Sequence, residues 1–129
     1  MSQMPSPAFD NAIRNPGDPG HLMVIRQVPR RIRIFDGAAL IADTRHALRV
    51  MEIGKSFYDP VLYVPEADLK TRLGHVDRTT FCPIKGEASY VSHEAVEIGW
   101  VYREPIATAR QLAGHHAFWP DKVRIVEGE

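Results

Sequence analysis

The pattern of hydrophobic and polar residues changes at about residue 21. The first twenty residues contain four prolines and two glycines among Ser, Asn and Asp, with no regular apolar period. Proline lacks a backbone donor and restricts the residue before it, so this stretch is predicted to form neither a regular helix nor a strand. We therefore expect residues 1–20 to be a flexible N-terminal arm or a strap that lies on the domain, and residues 21–129 to form a single β domain.

The part of the chain that follows the arm begins with short runs typical of β-strands. Residues 21–28 are apolar and partly β-branched, and residues 31–34 alternate Arg and Ile with the period of two of a half-buried strand. Asp36-Gly37 separates that run from the apolar residues 39–42. Asp-Gly between two strand-like runs predicts a β-hairpin.

Short runs of the same kind continue to the end of the chain. Residues 44–53 fit a helix or a strand, and the short elements around them favour a strand. Residues 65–68, which begin with proline and carry acidic side chains, predict one helical turn. A short helix is expected near residues 105–113, ended by Gly114. Further strands are predicted at residues 61–64, 79–82, 88–92, 96–102, 116–119 and 123–126. The fold class is therefore mainly β, antiparallel, with one short helix.

Composition and charge narrow the class of protein. The chain has 129 residues, of which 44% are hydrophobic and 25% charged, so neither wholesale disorder nor a membrane protein fits. Sixteen basic residues balance sixteen acidic ones, which argues against nucleic acid or an anionic membrane as a partner. A single cysteine excludes an internal disulfide and a cysteine-built zinc site. With no signal-peptide pattern at the start, the sequence predicts a cytoplasmic protein.

Four groups of residues recur in an order and spacing known from a bacterial family. They read RRIRIFDGAALIADTRHAL, PVLYVPEADL, TTFCPIKGEASY, and GWVYREP with AFWPDKV. Together they cover nearly all of residues 29–126 and resemble domain of unknown function 427, labelled in places as a nucleotidyltransferase family. The GWVYREP segment departs from the family in part, since Val101 stands where a serine usually follows the tryptophan. The resemblance implies a compact antiparallel two-sheet domain of the β-tent type.

The nucleotidyltransferase label is only weakly supported by the chain itself. A metal-dependent transfer of this kind uses paired aspartates after a Gly-Ser pair, and the sequence lacks that pattern. The six histidines also lack the paired spacing of metal ligands, so no metal site is predicted. The sequence leaves the identity of any cofactor unknown.

The turn formed by Cys82, Pro83, Lys85 and Gly86 carries the sharpest candidate chemistry. Side chains three residues apart in a turn can converge, and an ammonium near a thiol favours the nucleophilic thiolate. The backbone N–H groups near Lys85 and Gly86 could hold an oxyanion or a phosphate. The alternative is that Cys82 is a small core residue and Lys85 a solvated turn lysine, and base rates favour the core cysteine.

Two further sets of side chains could complete a site. Aromatic residues on one sheet face can line a pocket, although a small β core needs the same residues. The aromatic residues concerned are Tyr63, Tyr90, Trp100, Tyr102, Phe118 and Trp119. Four carboxylates lie beside apolar runs, namely Asp43, Glu52, Asp68 and Glu87. Two of them facing Lys85 in one cleft would allow general acid–base chemistry, whereas singly each is better explained by turn or helix-end hydrogen bonds.

The sequence allows three classes of function. We hypothesise a domain that binds a small polar or anionic ligand at the Cys82–Gly86 turn, with contacts from Tyr63, Asp68, Lys85, Gly86, Tyr90 and Trp100. The alternative is a transferase or hydrolase-type enzyme with Cys82 and Lys85 as catalytic residues. The third is an interaction module without a site, with the proline-rich arm and exposed strand edges as its contact surfaces. Such a module would form a homodimer or bind a protein partner, and it would be indifferent to Lys85→Met.

Overall fold

The computed structural model of the chain describes residues 11–128, which form two antiparallel β-sheets. The strands are β1 (Ile13–Asn15), β2 (Asp18–Val28), β3 (Ile32–Asp36), β4 (Ala39–Thr44), β5 (Ala47–Ile53), β6 (Val61–Pro65), β7 (Gly74–Cys82), β8 (Gly86–His93), β9 (Val96–Val101), β10 (His115–Phe118) and β11 (Arg124–Glu127). The larger sheet has the order β1-β2-β5-β6-β10-β9-β8-β7, and the smaller has the order β11-β3-β4. This arrangement confirms the prediction of a mainly β, antiparallel, two-sheet fold.

The hairpin predicted at Asp36-Gly37 is present. β3 pairs with β4, and the two strands are joined at Gly37, whose φ of 59° suits a residue without a Cβ. Residues 44–53, for which the sequence allowed a helix or a strand, contain strand β5 between β2 and β6. The predicted antiparallel partner of β8 is β9.

Two short 3-10 helices complete the described part of the fold. One spans Glu66–Asp68, where a helical turn was predicted, and the other spans Ala107–Leu112. The helix expected near residues 105–113 is therefore present, but its type is 3-10. Ala109 and Leu112 are its buried residues, and a spacing of three places both on one side of a 3-10 helix. Neither of these helices is long enough to cross a membrane.

Residues 11–20 contain strand residues, although the sequence predicted neither a regular helix nor a strand there. β1 and the start of β2 form a hairpin at the edge of the large sheet. Pro16 lies in the turn, and Pro19 lies beside a shift in register, positions at which a strand does not need a backbone donor. The Asn15 side chain also caps the turn by accepting a hydrogen bond from the Gly17 N–H at 2.9 Å. The remaining part of the predicted arm, residues 1–10, lies outside the described residues.

Two apolar clusters cover opposite faces of the large sheet. Neighbouring residues of a strand point to opposite faces, so Tyr63 belongs to one cluster and Val64 to the other. The first cluster is covered by the second 3-10 helix and contains Met23, Ile25, Leu48, Val50, Tyr63, Ile84, Ala88, Tyr90, Tyr102, Ala109, Leu112 and Ala117. The second fills the space between the two sheets and contains Val28, Ile32, Ile34, Ile41, Ala42, Ala47, Val64, Ile98 and Phe118.

Candidate functional site

A cavity of about 390 Å³ opens on the sheet face that carries the first cluster. Its polar residues are His21, Glu52, Asp59 and Lys85, and its aromatic residues are Tyr58, Tyr63, Tyr90, Trp100, Tyr102 and Trp119. A larger groove of about 980 Å³ runs along β2 and β5, but none of the charged residues that line it is buried. The smaller cavity is the candidate site because it contains a buried charged side chain.

Lys85 is the buried charge in the cavity, with only 6% of the residue exposed. It lies in the tight turn between β7 and β8, which the Lys85 N–H closes by donating to the Cys82 carbonyl at 3.2 Å. The Ile106 N–H donates to the Lys85 carbonyl at 2.9 Å and fastens this turn to the segment before the second 3-10 helix. The Lys85 ammonium then donates to Oε1 of Glu52 on β5. Pairing of this kind is what permits an ammonium to be buried.

Glu52 joins Lys85 to a histidine on the neighbouring strand. Its Oε2 accepts a hydrogen bond from His21 Nε2 at 2.7 Å, and the Asn15 amide lies 3.2 Å from His21 Nδ1. Burial by itself would raise the pKa of Glu52, but the hydrogen bonds and charges of Lys85 and His21 outweigh it and hold that pKa below its usual value. The result is an ionised carboxylate at the base of the cavity with partners on both oxygens.

Aromatic rings form the walls above this charged base. Trp100 and Trp119 lie with ring centroids 4.5 Å apart, and Trp100 meets Tyr63 edge to face at 6.3 Å. Both indole N–H groups have protein partners, since Trp100 donates to the Tyr63 oxygen at 3.2 Å and Trp119 to Glu97 at 2.9 Å. The tryptophans therefore contribute apolar ring surface to the cavity rather than free donors.

Two tyrosines add hydroxyl groups that stay protonated. Burial raises the pKa of Tyr63 and of Tyr102 far above the usual value, so neither ionises near neutral pH. The Tyr63 oxygen accepts from Trp100, which leaves its own proton to donate. No residue in the described part of the chain forms a hydrogen bond with the Tyr102 hydroxyl. Tyr90 differs, because its hydroxyl is paired with that of Thr80 at 2.6 Å.

The structure brings together four of the residues that the sequence singled out for ligand binding: Tyr63, Lys85, Tyr90 and Trp100. It places Asp68 elsewhere, because the Thr44 hydroxyl donates to the Asp68 carboxylate at 2.6 Å and attaches the first 3-10 helix to β4. Gly86 does not line the cavity either. Its φ of 115° and its close approach to the backbone of Pro105 shape the turn that presents Lys85.

Cys82 lies next to the site rather than inside it. The Lys85 ammonium is 3.9 Å from its sulfur, so the two side chains do converge across the turn. Cys82 is half-buried, packs against the first cluster and is not among the residues that line the cavity. Its position suits a small core residue at the end of β7 and leaves the sulfur beside a charged neighbour.

The sequence did not point to Asn15, His21 or Tyr58 as site residues. Asn15 and His21 belong to the hairpin that begins in the predicted arm, and a lone histidine there carries no motif. Glu52 was one of four candidate carboxylates, and only the folded structure shows which of the four meets Lys85. Within residues 11–128, no group of three or more His, Cys, Asp or Glu side chains is arranged to hold a metal ion.

Comparisons with known proteins place the chain in a family. No curated protein matches it. The family model that matches is described as a domain of unknown function (DUF427), carries the name NTP_transf_9 and covers residues 24–129. The match includes the strands that hold Glu52, Tyr63 and Trp100 as well as the turn of Lys85. The chain therefore belongs to the DUF427 family.

Proposed function

We propose that the chain binds a small polar ligand in the cavity beside Lys85, and that it holds an acceptor group of the ligand, such as a carboxylate. The observation that supports this most directly is a buried ammonium at the base of an aromatic cavity of about 390 Å³. Ligand sites combine such apolar walls with a small number of polar groups that fix orientation.

The donors at the base of the cavity exceed the acceptors. An ammonium has three protons, of which Glu52 accepts one, and the Cys82 sulfur at 3.9 Å is at most a weak acceptor for a second. The hydroxyls of Tyr63 and Tyr102 add two further protons. A ligand carboxylate or carbonyl would accept from this set without displacing Glu52.

The charges and walls restrict the rest of the ligand. Glu52 neutralises Lys85 and the exposed Asp59 adds a negative charge, so the cavity favours one acceptor group over a multiply charged anion. Trp100 and Trp119 offer ring faces, which favour a flat apolar or aromatic body. The proposed ligand class is therefore a small aromatic or unsaturated carboxylic acid or a related polar carbonyl compound.

The proposal is tested by thermal unfolding and calorimetry with a panel of aromatic carboxylates and the matching amides. A ligand that binds the folded chain raises its Tm with concentration. We expect at least one carboxylate to do so, and Lys85→Met to abolish the effect. Lys70→Met is the control, because Lys70 is exposed and does not line the cavity. A panel that leaves the Tm unchanged, or equal losses in both lysine variants, would contradict the proposal.

Tyr102→Phe provides a second test that leaves the ion pair of Lys85 intact. It removes one hydroxyl, and the loss of a hydrogen bond to a charged ligand should weaken binding about tenfold. An affinity equal to that of the parent would show that the acceptor group does not reach this side of the cavity. This variant is informative even if Lys85→Met fails to fold.

A second candidate function is an enzyme that uses Cys82 as a nucleophile, favoured by the 3.9 Å between its sulfur and the Lys85 ammonium. Because Cys82 is the single cysteine, alkylation by iodoacetamide reports on it alone. On this hypothesis the folded chain is alkylated at neutral pH, and Lys85→Met slows the reaction. Alkylation only after denaturation would identify Cys82 as a core residue and remove the basis for the enzyme.

A further inference from the structure

A second cleft lies on the opposite face of the large sheet from the Lys85 cavity. It has a volume of about 320 Å³ and separates residues 66–75 from β8, β10 and the residues that follow β9. Strand alternation fixes its side of the sheet, because Val91 lines this cleft whereas Tyr90 lines the Lys85 cavity. The two sites therefore have no lining residue in common.

His116 of β10 is a buried polar residue of this cleft. Only 1% of the residue is exposed, and within the described structure its Nδ1 forms no hydrogen bond of normal geometry, although the Gly114 backbone is close enough to act on the ring as an acceptor. Its Nε2 is directed towards Glu66, whose nearer oxygen lies 3.9 Å away and is too distant for a hydrogen bond. Buried polar groups in folded proteins are nearly always paired, so an imidazole without a well-formed hydrogen bond at the floor of a cleft is able to take a ligand as its partner.

The rim of the cleft carries more positive than negative charge. Arg72 is exposed and has no ion-pair or hydrogen-bond partner in the described part of the chain. Arg103 donates from one nitrogen to Glu66 at 3.0 Å, and its guanidinium retains other N–H groups that can donate. Two guanidinium groups and one carboxylate give the cleft a net positive charge.

Burial lowers the pKa of His116 to about 4, so the ring is neutral at neutral pH and carries one N–H. A neutral imidazole can donate that proton to an oxygen of a ligand without first taking up a charge. In the tautomer with that proton on Nε2, the nitrogen nearer to Glu66, the floor of the cleft supplies a donor, and the rim supplies charge-assisted donors of the type that bind oxyanions.

We propose that this cleft binds the phosphate or carboxylate group of a small molecule, held by Arg72 and Arg103 at the rim and by His116 at the floor. The oxyanion would complete the hydrogen bonding of His116 and give Arg72 a partner. Guanidinium groups match the planar array of acceptors on both kinds of oxyanion, so the two ligand types share this chemistry.

Inorganic phosphate and acetate are the probes, with chloride at the same ionic strength as the salt control. Nitrogen-detected NMR of the imidazole should show saturable shifts of the His116 signals with phosphate, acetate or both, and none with chloride. Shifts with phosphate alone would assign the cleft to phosphate esters, and shifts with both would assign it to oxyanions generally. No saturable shift with either probe would overturn the proposal.

Variants separate binding in this cleft from general charge effects. Arg72→Met should weaken the response about tenfold, as expected for the loss of a charge-assisted pair. Arg110→Met is the control, because Arg110 is exposed on the second 3-10 helix and does not line the cleft. Equal weakening in the two variants would indicate non-specific attraction and contradict the proposal.

The Lys85→Met variant distinguishes the two sites. The cleft and the Lys85 cavity lie on opposite sheet faces, so this variant should respond to phosphate as the parent does. A phosphate response that disappears with Lys85 would place the anion in the other cavity and overturn the proposal for the cleft. Failure of the carboxylate panel at Lys85, in contrast, has no bearing on the His116 signals.

Discussion

Glu52 pairs with both Lys85 and His21 in the Lys85 cavity, so the interactions of these two side chains depend on it. Its two oxygens accept from side chains on different elements, Lys85 in the β7–β8 turn and His21 in β2. Only 16% of the Glu52 side chain and 7% of the Lys85 side chain are exposed, so neither charge is well solvated by water. Removing the carboxylate would leave the ammonium buried without a counter-charge. The free energy lost in this way is larger than the net stabilisation that the intact pair contributes.

We therefore predict that Glu52→Gln destabilises the chain. The expected loss in the free energy of unfolding is about 2 kcal/mol at pH 7, below the value for a fully buried pair because Glu52 retains some contact with water. Urea unfolding measures it, with Glu87→Gln on an exposed position of β8 as the control. A loss no larger than that of the control would show that the pair adds nothing to stability.

The pKa of Glu52 also gives this effect a pH dependence. Because the folded-state pKa lies below the usual value of 4.5, the carboxylate contributes its stability above about pH 4.5. That contribution is lost as the pH falls through the lower folded-state pKa. The parent and Glu52→Gln should therefore differ most near neutral pH and converge below the folded-state pKa of Glu52. A difference that persists unchanged in acid would assign the effect to packing instead of charge.

His116 gives a second pH dependence in a different window. Burial lowers its pKa from 6.5 to about 4, so between these values the unfolded chain binds a proton that the folded chain does not. The free energy of unfolding should fall by about 3 kcal/mol as the pH drops from 6.5 to 4, and this contribution should level off below 4. Urea unfolding across this range, compared with His116→Gln, measures the effect. An equal slope in the variant would contradict the assignment to His116.

The sequence pattern could predict site residues that are neighbours along the chain but not those that meet through strand pairing. Lys85 stands in a turn with Cys82 and Gly86, so its neighbourhood could be inferred from adjacent positions. Glu52 and His21 are 31 residues apart and meet only because β2 and β5 pair in one register. A pattern with a period of two fixes which face a side chain occupies but not which strand lies beside it.

At the scale of the elements, strands were predicted well because their alternation is local. The second 3-10 helix was predicted at the right position but without its type. It has six residues between Pro105 and Gly114, and a segment of that length can form an α-helix or a 3-10 helix. The hairpin of β1 and β2 was missed because its prolines occupy a turn and a register shift, and a sheet edge tolerates both. Proline content alone does not distinguish a free arm from an edge hairpin.

The turn that presents Lys85 depends on Gly86, and we predict that Gly86→Ala is costly. A Cβ at this position would lie 3.0 Å from the Ile106 nitrogen and 3.2 Å from Pro105 Cα, and φ is 115°. Gly37 is the matched control, because its φ is also positive, at 59°, but its Cβ would meet no atom within 4 Å. Chemical unfolding should give a loss of about 1 kcal/mol for Gly37→Ala and about 3 kcal/mol for Gly86→Ala.

The same substitution connects the turn to the proposed function. The Ile106 N–H bonds to the Lys85 carbonyl, so a Cβ that displaces Ile106 also shifts the turn that holds the ammonium. Any carboxylate found to bind beside Lys85 should therefore bind Gly86→Ala more weakly than Gly37→Ala. Equal affinities would show that the turn absorbs the strain without moving Lys85.

At the scale of the whole molecule, the large sheet separates the two proposed sites and ends in the exposed edge strand β7. Its two faces carry the Lys85 cavity and the His116 cleft, so its interior strands hold residues of both sites. β6 is bonded on one side to β5 and on the other to β10, whereas β7, among residues 11–128, is bonded to β8 alone. Most residues of β7 are exposed, including Phe81 at 70%.

We predict that amide hydrogen exchange is slower in the interior strand β6 than in the edge strand β7. Amides of β6 should exchange slowly, near the rate set by global unfolding, and the outward amides of β7 should exchange much faster, because edge bonds open locally. Exchange followed by mass spectrometry at micromolar concentration measures both. If β7 proved as protected as β6, and lost that protection on dilution, a second copy would be pairing along the edge, which is the homodimer that the sequence allowed. Protection of β7 that does not change with dilution would instead mean that the single chain covers this edge itself.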